Sequence, residues 1–152
     1  MNQYIHLLSN SYISQPTDIW VPVTGNIRPM HAHQVTSGLF WHYKELDFSV
    51  EGYYKRMNNL VEYKDNGPVL PSFTGWEDRV GVGKGRSYGL ELMVQKKTGR
   101  FNGWIGYTLS WSDRWFPDGT VNKGRRFPSK YDNRHKVDIV ASYKLSKKVE
   151  LT

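Results

Sequence analysis

The sequence has no cysteine among its 152 residues, which excludes disulfide bonds and thiolate metal sites. No apolar run approaches the roughly 18 to 20 residues of a membrane-spanning helix, and the mean hydropathy is −0.64. The stretch Met1–Ile5 offers no cationic start or apolar segment, so we expect no secretory signal here. These absences still allow a membrane barrel, because its apolar residues are spread over alternate positions.

Alternation of apolar and polar residues is the main pattern that the sequence does have. Between Leu46 and Lys55 the even positions are uncharged, whereas the odd positions include Asp47 and Glu51. Successive side chains of a strand point to opposite faces, so this stretch has one apolar and one charged face. The alternation recurs at Val35–Tyr43, Tyr88–Gln95, Phe101–Trp111 and Val137–Leu145.

One face of these five stretches has no Asp, Glu, Lys or Arg, although such residues make up 23% of the chain. A charge that faces lipid near the middle of a bilayer costs about 2–4 kcal/mol, which gives this exclusion a physical cause. The opposite faces carry Asp47, Glu51, Lys55, Glu91, Asp138 and Lys144. We therefore predict a lipid-facing set that includes Phe48, Val50, Leu90, Leu92, Ile105, Tyr107, Leu109, Ile139 and Ala141.

Short and long connections also alternate along the chain. The short turns are predicted at Lys44–Glu45, Lys97–Gly99 and Ser146–Lys148, and the long loops at Ser9–His31, Asp65–Gly85 and about Arg114–Asn133. Transmembrane barrels place short turns on one side of the membrane and long loops on the other. The fold class predicted is all-β, an antiparallel meander forming part of a large transmembrane β-barrel.

Residues 1–152 are predicted to form a partial barrel domain of about six strands and a stub. About eight strands make the smallest barrel, and its interior is filled by side chains, so these strands need further partners. We predict that Tyr4–Leu8 ends the first strand and that Val149 begins the stub.

Several motifs on the predicted strands and loops are similar to those of one known family. They are Gly85–Leu92, Lys96–Arg100 and Gly103–Ser110, then Phe127–Pro128, Tyr131–His135 and Tyr143–Ser146, and the loop Pro16–Pro22. These motifs resemble the barrel of TonB-dependent outer-membrane receptors, particularly those of Bacteroides-type bacteria. The resemblance covers nearly the whole chain. The family's plug domain, its TonB-contacting segment and its aromatic carboxyl-terminal residue have no counterpart in these residues.

The resemblance implies a segment of an outer-membrane receptor that imports a scarce large ligand, such as a siderophore, cobalamin or a glycan, with TonB-coupled energy. The implied location is the bacterial outer membrane. The implied partners are outer-membrane lipid, the receptor's own plug and remaining strands, and TonB through the missing plug region. Although the net charge is +7, we expect no nucleic-acid partner.

Three other motifs suggest chemistry but have simpler explanations. Gly81–Arg86 could cradle phosphate, but a strand follows it where a nucleotide loop requires a helix, so we interpret it as a flexible junction between loop and strand. His31 and His33 could bind a metal with His42 or His135, but solvated histidines explain them better. Glu51, Glu91 and Asp138 lie on different strands. We therefore expect no catalysis, no metal and no cofactor.

Aromatic and arginine residues on the long loops are candidate ligand contacts, because such residues often anchor binding partners. The candidates are Trp20, Trp76, Arg79, Trp115, Phe116 and Arg125. Packing between loops is an equally good explanation for each of them. A second hypothesis for the whole chain is a soluble all-β module that uses these aromatics to bind carbohydrate.

Overall fold

The structure is a computed structural model that describes residues 2–9, 18–65, 75–146 and 149–151. Its strands are β1 Asn2–Gln3, β2 Ile5–Ser9, β3 Asp18–Pro22, β4 Met30–Tyr43, β5 Leu46–Tyr63, β6 Val80–Lys96, β7 Phe101–Trp115, β8 Phe127–Pro128, β9 His135–Ser146 and β10 Val149–Leu151. Short 3₁₀ turns occupy Trp76–Arg79 and Asn122–Gly124. No helix among the described residues is long and apolar enough to cross a membrane.

Eight of these strands form one sheet in the order β1-β4-β5-β6-β7-β9-β10, with β8 paired to β7. Neighbours in the long meander follow one another along the chain, and their pairing is antiparallel. This confirms the predicted all-β meander. The turn at Lys147–Lys148 lies outside the described residues.

The register between β7 and β9 confirms the predicted division into two faces. Ile105 lies opposite Ile139, and Gly103 lies opposite Ala141. Directly opposed residues of an antiparallel pair share a face. The apolar residues predicted to face lipid are therefore cross-strand neighbours in this pair.

Left-handed backbone residues mark two of the predicted turns and one position within β5. Lys44 has φ 57° in the turn between β4 and β5, and Gly99 has φ 96° in the turn between β6 and β7. Asn59 has φ 58° within β5. Asn tolerates this conformation better than most residues because its side chain can bond locally.

Two boundaries predicted near the amino terminus are wrong. Ile5–Ser9 does not enter the main sheet; it pairs with Asp18–Pro22 in a separate two-stranded sheet. On the side away from β5, the strand that pairs with β4 is the short strand Asn2–Gln3. Pro22 ends its strand at an edge, where a missing N–H removes no ladder hydrogen bond. The preceding loop residues Pro16 and Thr17 lie outside the described part of the chain.

The prediction of a flexible junction at Gly81–Arg86 is also wrong, because β6 begins at Val80. Glycine favours turns in general, but it also serves a strand where another group must approach the backbone. A Cβ built on Gly83 would lie 2.5 Å from Cδ1 of Phe116, and one on Gly85 would lie 2.6 Å from Cδ1 of Leu60. These alternate glycines leave room on one face of the strand for large side chains.

The chain divides into two compact units. The loop unit comprises Met1–Gln34, Lys55–Ser87 and Ser112–Tyr131, and the hairpin unit comprises Val35–Tyr54, Tyr88–Trp111 and Asp132–Thr152. By residue membership, the loop unit contains most or all of each predicted long loop. The hairpin unit contains all three predicted short turns.

The loop unit has its own apolar core. Its buried members are Leu8, Val21, Ile27, Val61 and Val80. Tyr63 and Trp76 pack against this core. Because the core draws on β2, β3, β5 and β6 together with the loop residue Ile27, it joins segments that are far apart in sequence.

The hairpin unit carries stacked aromatic side chains on its uncharged face. Tyr88 stacks with Tyr54 at 6.4 Å between ring centroids and with Trp111 at 5.3 Å. Toward the first short turn, Trp41 and Phe48 stack at 5.2 Å. Phe48 belongs to the set predicted to face lipid, and strand alternation places Tyr54, Tyr88 and Trp111 on the same uncharged face of their strands. The stacking therefore supports the predicted phase of β5 to β7.

Candidate ligand-binding surface of the loop unit

The first two long connections are joined by a hydrogen bond between side chains. Asn26 Nδ2 donates to Glu77 Oε2 over 2.7 Å, and Glu77 belongs to the 3₁₀ turn that precedes β6. The hydrogen bonds from Asn26 and Thr24 hold the pKa of the Glu77 carboxyl below its usual range. Glu77 therefore stays ionised at neutral pH and keeps this bond charge-assisted.

The second and third long connections are joined through Asp65. The backbone N–H of Asp65 donates to the Thr120 carbonyl over 3.0 Å, and the backbone N–H of Asn122 donates to Asp65 Oδ2 over 2.7 Å. A nearby turn is closed by Asp118, whose Oδ1 accepts hydrogen bonds from the backbone N–H and the hydroxyl of Thr120. The three long connections thus contact one another within one unit, as the loop asymmetry of the sequence predicts.

Two of the six ligand candidates are exposed on this unit. Trp20 is 63% exposed, and its neighbour Val21 is buried in the core. Strand alternation places Trp20 on the opposite face of the β2–β3 hairpin, away from that core. Arg125 is exposed just after the 3₁₀ turn Asn122–Gly124. These two side chains are available to a ligand as they stand.

Three other candidates are buried or half-buried in this unit. Phe116 is fully buried, stacks with Phe127 at 6.1 Å and lies over Gly83. Because it has no accessible surface, it cannot act as an exposed ligand anchor, and that expectation is corrected. Trp76 is half-buried against the apolar core, and Arg79 is half-buried at the end of the same 3₁₀ turn.

Trp115, the sixth candidate, lies among cations. Lys84 Nζ is 5.7 Å and Arg126 Cζ is 5.6 Å from the centroid of its ring. The indole N–H donates to the carbonyl of Gly124 over 3.1 Å, which fixes the orientation of the ring. The cluster of Lys84, Trp115 and Arg126 is called the cationic tryptophan site below.

The same unit contains an ion pair that we did not predict from the sequence. Arg114 Nη1 donates to Glu62 Oε2, and both side chains are largely buried, at 22% and 20% exposure. In a sequence, charged residues near the ends of predicted strands cannot be told apart from residues that face solvent. No sequence pattern would have paired residues from β5 and β7.

The hairpin unit contains an open groove of about 380 Å³ whose lining includes Phe40, His42, Asp47, Met93 and Lys97. His42 Nδ1 lies 2.7 Å and Lys97 Nζ 2.8 Å from the carboxylate of Asp47. The charged groups of the groove thus pair with one another. Within the described ranges no group of three or more metal-ligating side chains occurs.

A comparison with known protein families shows to which family this chain belongs. The family described as TonB dependent receptor-like, beta-barrel matches residues 4–150. The chain belongs to this family. Neither the curated proteins nor the solved structures gave a match.

Membership of the TonB-dependent receptor barrels explains the two faces of the sheet. This is an outer-membrane family of receptors and transporters and not an enzyme family. The hypothesis of a soluble carbohydrate-binding module is not favoured by this membership. The uncharged face of the hairpin unit is accordingly the outward face of a barrel, and it exposes Leu90, Leu92, Ile105 and Ile139.

The length of β7 agrees with a receptor barrel. Aromatic residues begin and end its uncharged face, at Phe101 and Trp111. At about 3.3 Å per residue the intervening strand is about 33 Å long, and a tilt of about 40° reduces this to roughly 25 Å of height. The apolar band of an outer-membrane barrel is about 25 Å tall between its aromatic borders.

Proposed function

We propose that this chain is a segment of an outer-membrane receptor that imports a scarce, large ligand with energy supplied through TonB. The proposal rests on family membership over residues 4–150. It draws further support from one structural observation. The three long connections pack into a single unit, joined at Asn26–Glu77 and at Asp65–Asn122.

Ligand capture is the part that we assign to the loop unit. Trp20 and Arg125 are the exposed candidates, and an exposed indole and guanidinium suit a ligand with flat apolar or anionic groups. Trp76 packs against the apolar core of the same unit. No catalytic step is part of this proposal, since Glu51, Glu91 and Asp138 lie on separate strands and Asp138 is paired with Lys136 over 2.8 Å.

The ligand class can be tested in the native bacterium by deleting the gene for the full-length receptor. Growth is then measured with one limiting nutrient at a time: iron as a ferric siderophore, cobalamin, or a glycan as the sole carbon source. Loss of growth on one nutrient, matched by loss after TonB depletion, is expected. Normal growth of the deletion strain on all three would contradict the proposal.

The loop unit is tested with the variant Trp20→Ala/Arg125→Ala in the same receptor. We expect at least tenfold weaker uptake of the nutrient identified, with normal amounts of receptor in the outer membrane. Lys144→Ala is the matched control, because Lys144 is exposed in the hairpin unit. Equal uptake by both variants would remove Trp20 and Arg125 from the ligand surface.

A further inference from the structure

We propose that His31 and His33 form a surface site for a divalent transition metal ion, with copper(II) bound most tightly. Both residues lie on β4 and belong to the loop unit. The site holds the ion with two protein nitrogens and leaves its remaining coordination positions to water or another small donor. The inference goes beyond the proposed import of a ligand and does not depend on it.

The two imidazoles project from the same face of β4. His31 and His33 are both exposed, whereas Ala32 between them is only 7% exposed. Successive side chains of a strand point to opposite faces, so both rings lie on the open side. The Cα atoms of residues two apart in a strand are about 6.6 Å apart. At that spacing both rings can lean toward one ion and form metal–nitrogen bonds of about 2 Å.

Asn2 fixes the ring of His31 in a form that can bind a metal. Asn2 lies directly opposite His31 in the pairing of β1 with β4, and Oδ1 of Asn2 is 2.7 Å from Nδ1 of His31. Because that oxygen can only accept a hydrogen bond, Nδ1 carries the proton and Nε2 carries the free lone pair. Metal-binding histidines are oriented in the same way by a group that accepts from their other nitrogen. The sequence alone favours solvated histidines because it shows no such partner.

The other exposed histidines are arranged differently. Nδ1 of His42 is 2.7 Å from the carboxylate of Asp47, and Nδ1 of His135 is 2.8 Å from a tyrosine hydroxyl. These two histidines lie on different strands, β4 and β9. Among the residues that the structure describes, His31 and His33 are therefore the two histidines that share one face of a strand.

The donor atoms indicate which metals fit. Imidazole nitrogen suits zinc, copper and nickel, whereas calcium and magnesium prefer oxygen ligands. For a given set of donors the affinity of divalent ions rises to copper and falls again at zinc. Copper(II) also accepts a square-planar set of nitrogen and oxygen donors, which two imidazoles and water can supply. We therefore expect copper(II) to bind more tightly than nickel(II) or zinc(II).

Other polar groups of the loop unit are less suited to a metal cation. The cationic tryptophan site carries two positive charges, which repel a divalent ion. The carboxylates of Asp65 and Glu77 accept hydrogen bonds from neighbouring connections. His6 is only 4% exposed, so an ion in solution does not reach its ring.

The experiment uses the full-length receptor, purified without a histidine tag and freed of metal with a chelator. Copper(II), nickel(II) and zinc(II) are added separately at about pH 7.5, where an ordinary imidazole is neutral, and bound metal is measured by equilibrium dialysis. The test variant is His31→Gln/His33→Gln. The matched control is His42→Gln/His135→Gln, which removes two exposed histidines of the hairpin unit.

We expect the control to bind copper(II) within about twofold of the unmodified receptor and the test variant at least about 100-fold more weakly, since changing a group that only supports a ligand already costs about 10–100-fold. Electron paramagnetic resonance of the copper(II) complex should show two nitrogen donors in the unmodified receptor and one in His33→Gln. Equal affinity of the test variant and the control would overturn the proposal. A single nitrogen donor in the unmodified receptor would also overturn it.

Variants of Asn2 test the positioning of His31 without removing a ligand. Asn2→Ala should weaken copper(II) binding about tenfold, and Asn2→Asp should restore it, since a carboxylate accepts the same hydrogen bond and makes the ring more basic. Folding of each variant is checked by its migration on a gel without heating. If the double histidine variant fails to fold, His33→Gln is compared with His135→Gln instead. Equal copper(II) affinity of Asn2→Ala and Asn2→Asp would contradict the proposed site.

Discussion

At the scale of single residues, the loop unit depends on close contacts that a small change would break. Phe116 has no exposed surface, and its ring occupies the space beside Gly83, where a Cβ would lie 2.5 Å from Cδ1. Interiors are packed tightly enough that one added methyl group forces neighbours to move. Such contacts, and not the aromatic character of Phe116, explain its place in the molecule.

Gly83→Ala is therefore expected to destabilise the loop unit by about 1–3 kcal/mol, the usual cost of overpacking. The measurement is the rate of proteolysis of the long loops in the folded full-length receptor. Gly75→Ala is the control, because nothing lies within 4 Å of a Cβ at Gly75. Equal rates of proteolysis in the two variants would show that the Phe116 ring can move aside without loss of stability.

The burial of His6 leads us to expect that the loop unit is less stable in acid. Its side chain is only 4% exposed, and Nε2 has no hydrogen-bond partner. Burial lowers the pKa of His6 below 6.5, and a hydrogen bond with the backbone of Arg28 offsets this only in part. Below pH 6.5 His6 binds a proton in the unfolded chain, while in the folded loop unit it stays neutral. The stability of the loop unit therefore falls as the pH falls.

We accordingly expect the protection of the backbone amides of residues 5–8 against hydrogen exchange to fall as the pH drops from 7 to 5. Protection is measured relative to the intrinsic exchange rate at each pH. His6→Gln should remove most of this dependence, since glutamine does not titrate in that range. His31→Gln, at an exposed position of the same unit, should keep it. A dependence that persists in His6→Gln would assign the acid sensitivity to another group.

At the scale of the strands, the two faces of the sheet differ in what they tolerate. Leu92 lies on the outward face of β6, where it is 37% exposed. Gln95 lies on the other face, beside Lys97 in the polar lining of the groove. Only the outward position would place a new charge against lipid.

Leu92→Arg is expected to impair assembly of the full-length receptor by about 2–4 kcal/mol, whereas Gln95→Arg should be milder. Assembly is measured as the fraction of receptor in the outer membrane that migrates as a folded barrel on a gel without heating. If both variants assembled equally well, the assignment of faces would be wrong.

At the scale of the whole molecule, the long loops act as one unit because a few polar contacts hold them together. Asp65 and Glu77 each accept a hydrogen bond from a different long connection. Both contacts are at the surface, where hydrogen bonds contribute about 0.5–1.5 kcal/mol each. Deleting residues 115–123 of the third long loop would also remove the buried side chains of Phe116 and Val121. Point variants of Asp65 and Glu77 are therefore needed to test the polar contacts between loops without disturbing the apolar packing.

The double variant Asp65→Ala/Glu77→Ala should loosen the loop unit without preventing assembly of the barrel. We expect faster proteolysis of the long loops and unchanged migration of the folded receptor. Glu45→Ala is the control, since Glu45 lies in a short turn of the hairpin unit and pairs with Lys96. Unchanged proteolysis in the double variant would show that the apolar core alone holds the loops together.

The sequence by itself determined the strands and their two faces. Strand alternation has a period of two, so the face of Leu90 and Leu92 could be read from β6 alone. Turn positions such as Lys97–Gly99 followed from local residue preferences in the same way. Membership of the receptor family could be inferred from motifs on these strands, and the family match confirms it.

Only the tertiary structure decided the contents of the loop unit. The pairing of Ile5–Ser9 with Asp18–Pro22, the strand at Gly81–Arg86 and the burial of Phe116 all depend on contacts between segments distant in sequence. The local backbone preferences of glycine and of aromatic residues do not show whether such a residue lies in an exposed loop or in a packed unit. Because periodicity reports which residues share a face of one strand and not which segments meet, these contacts left no pattern in the sequence.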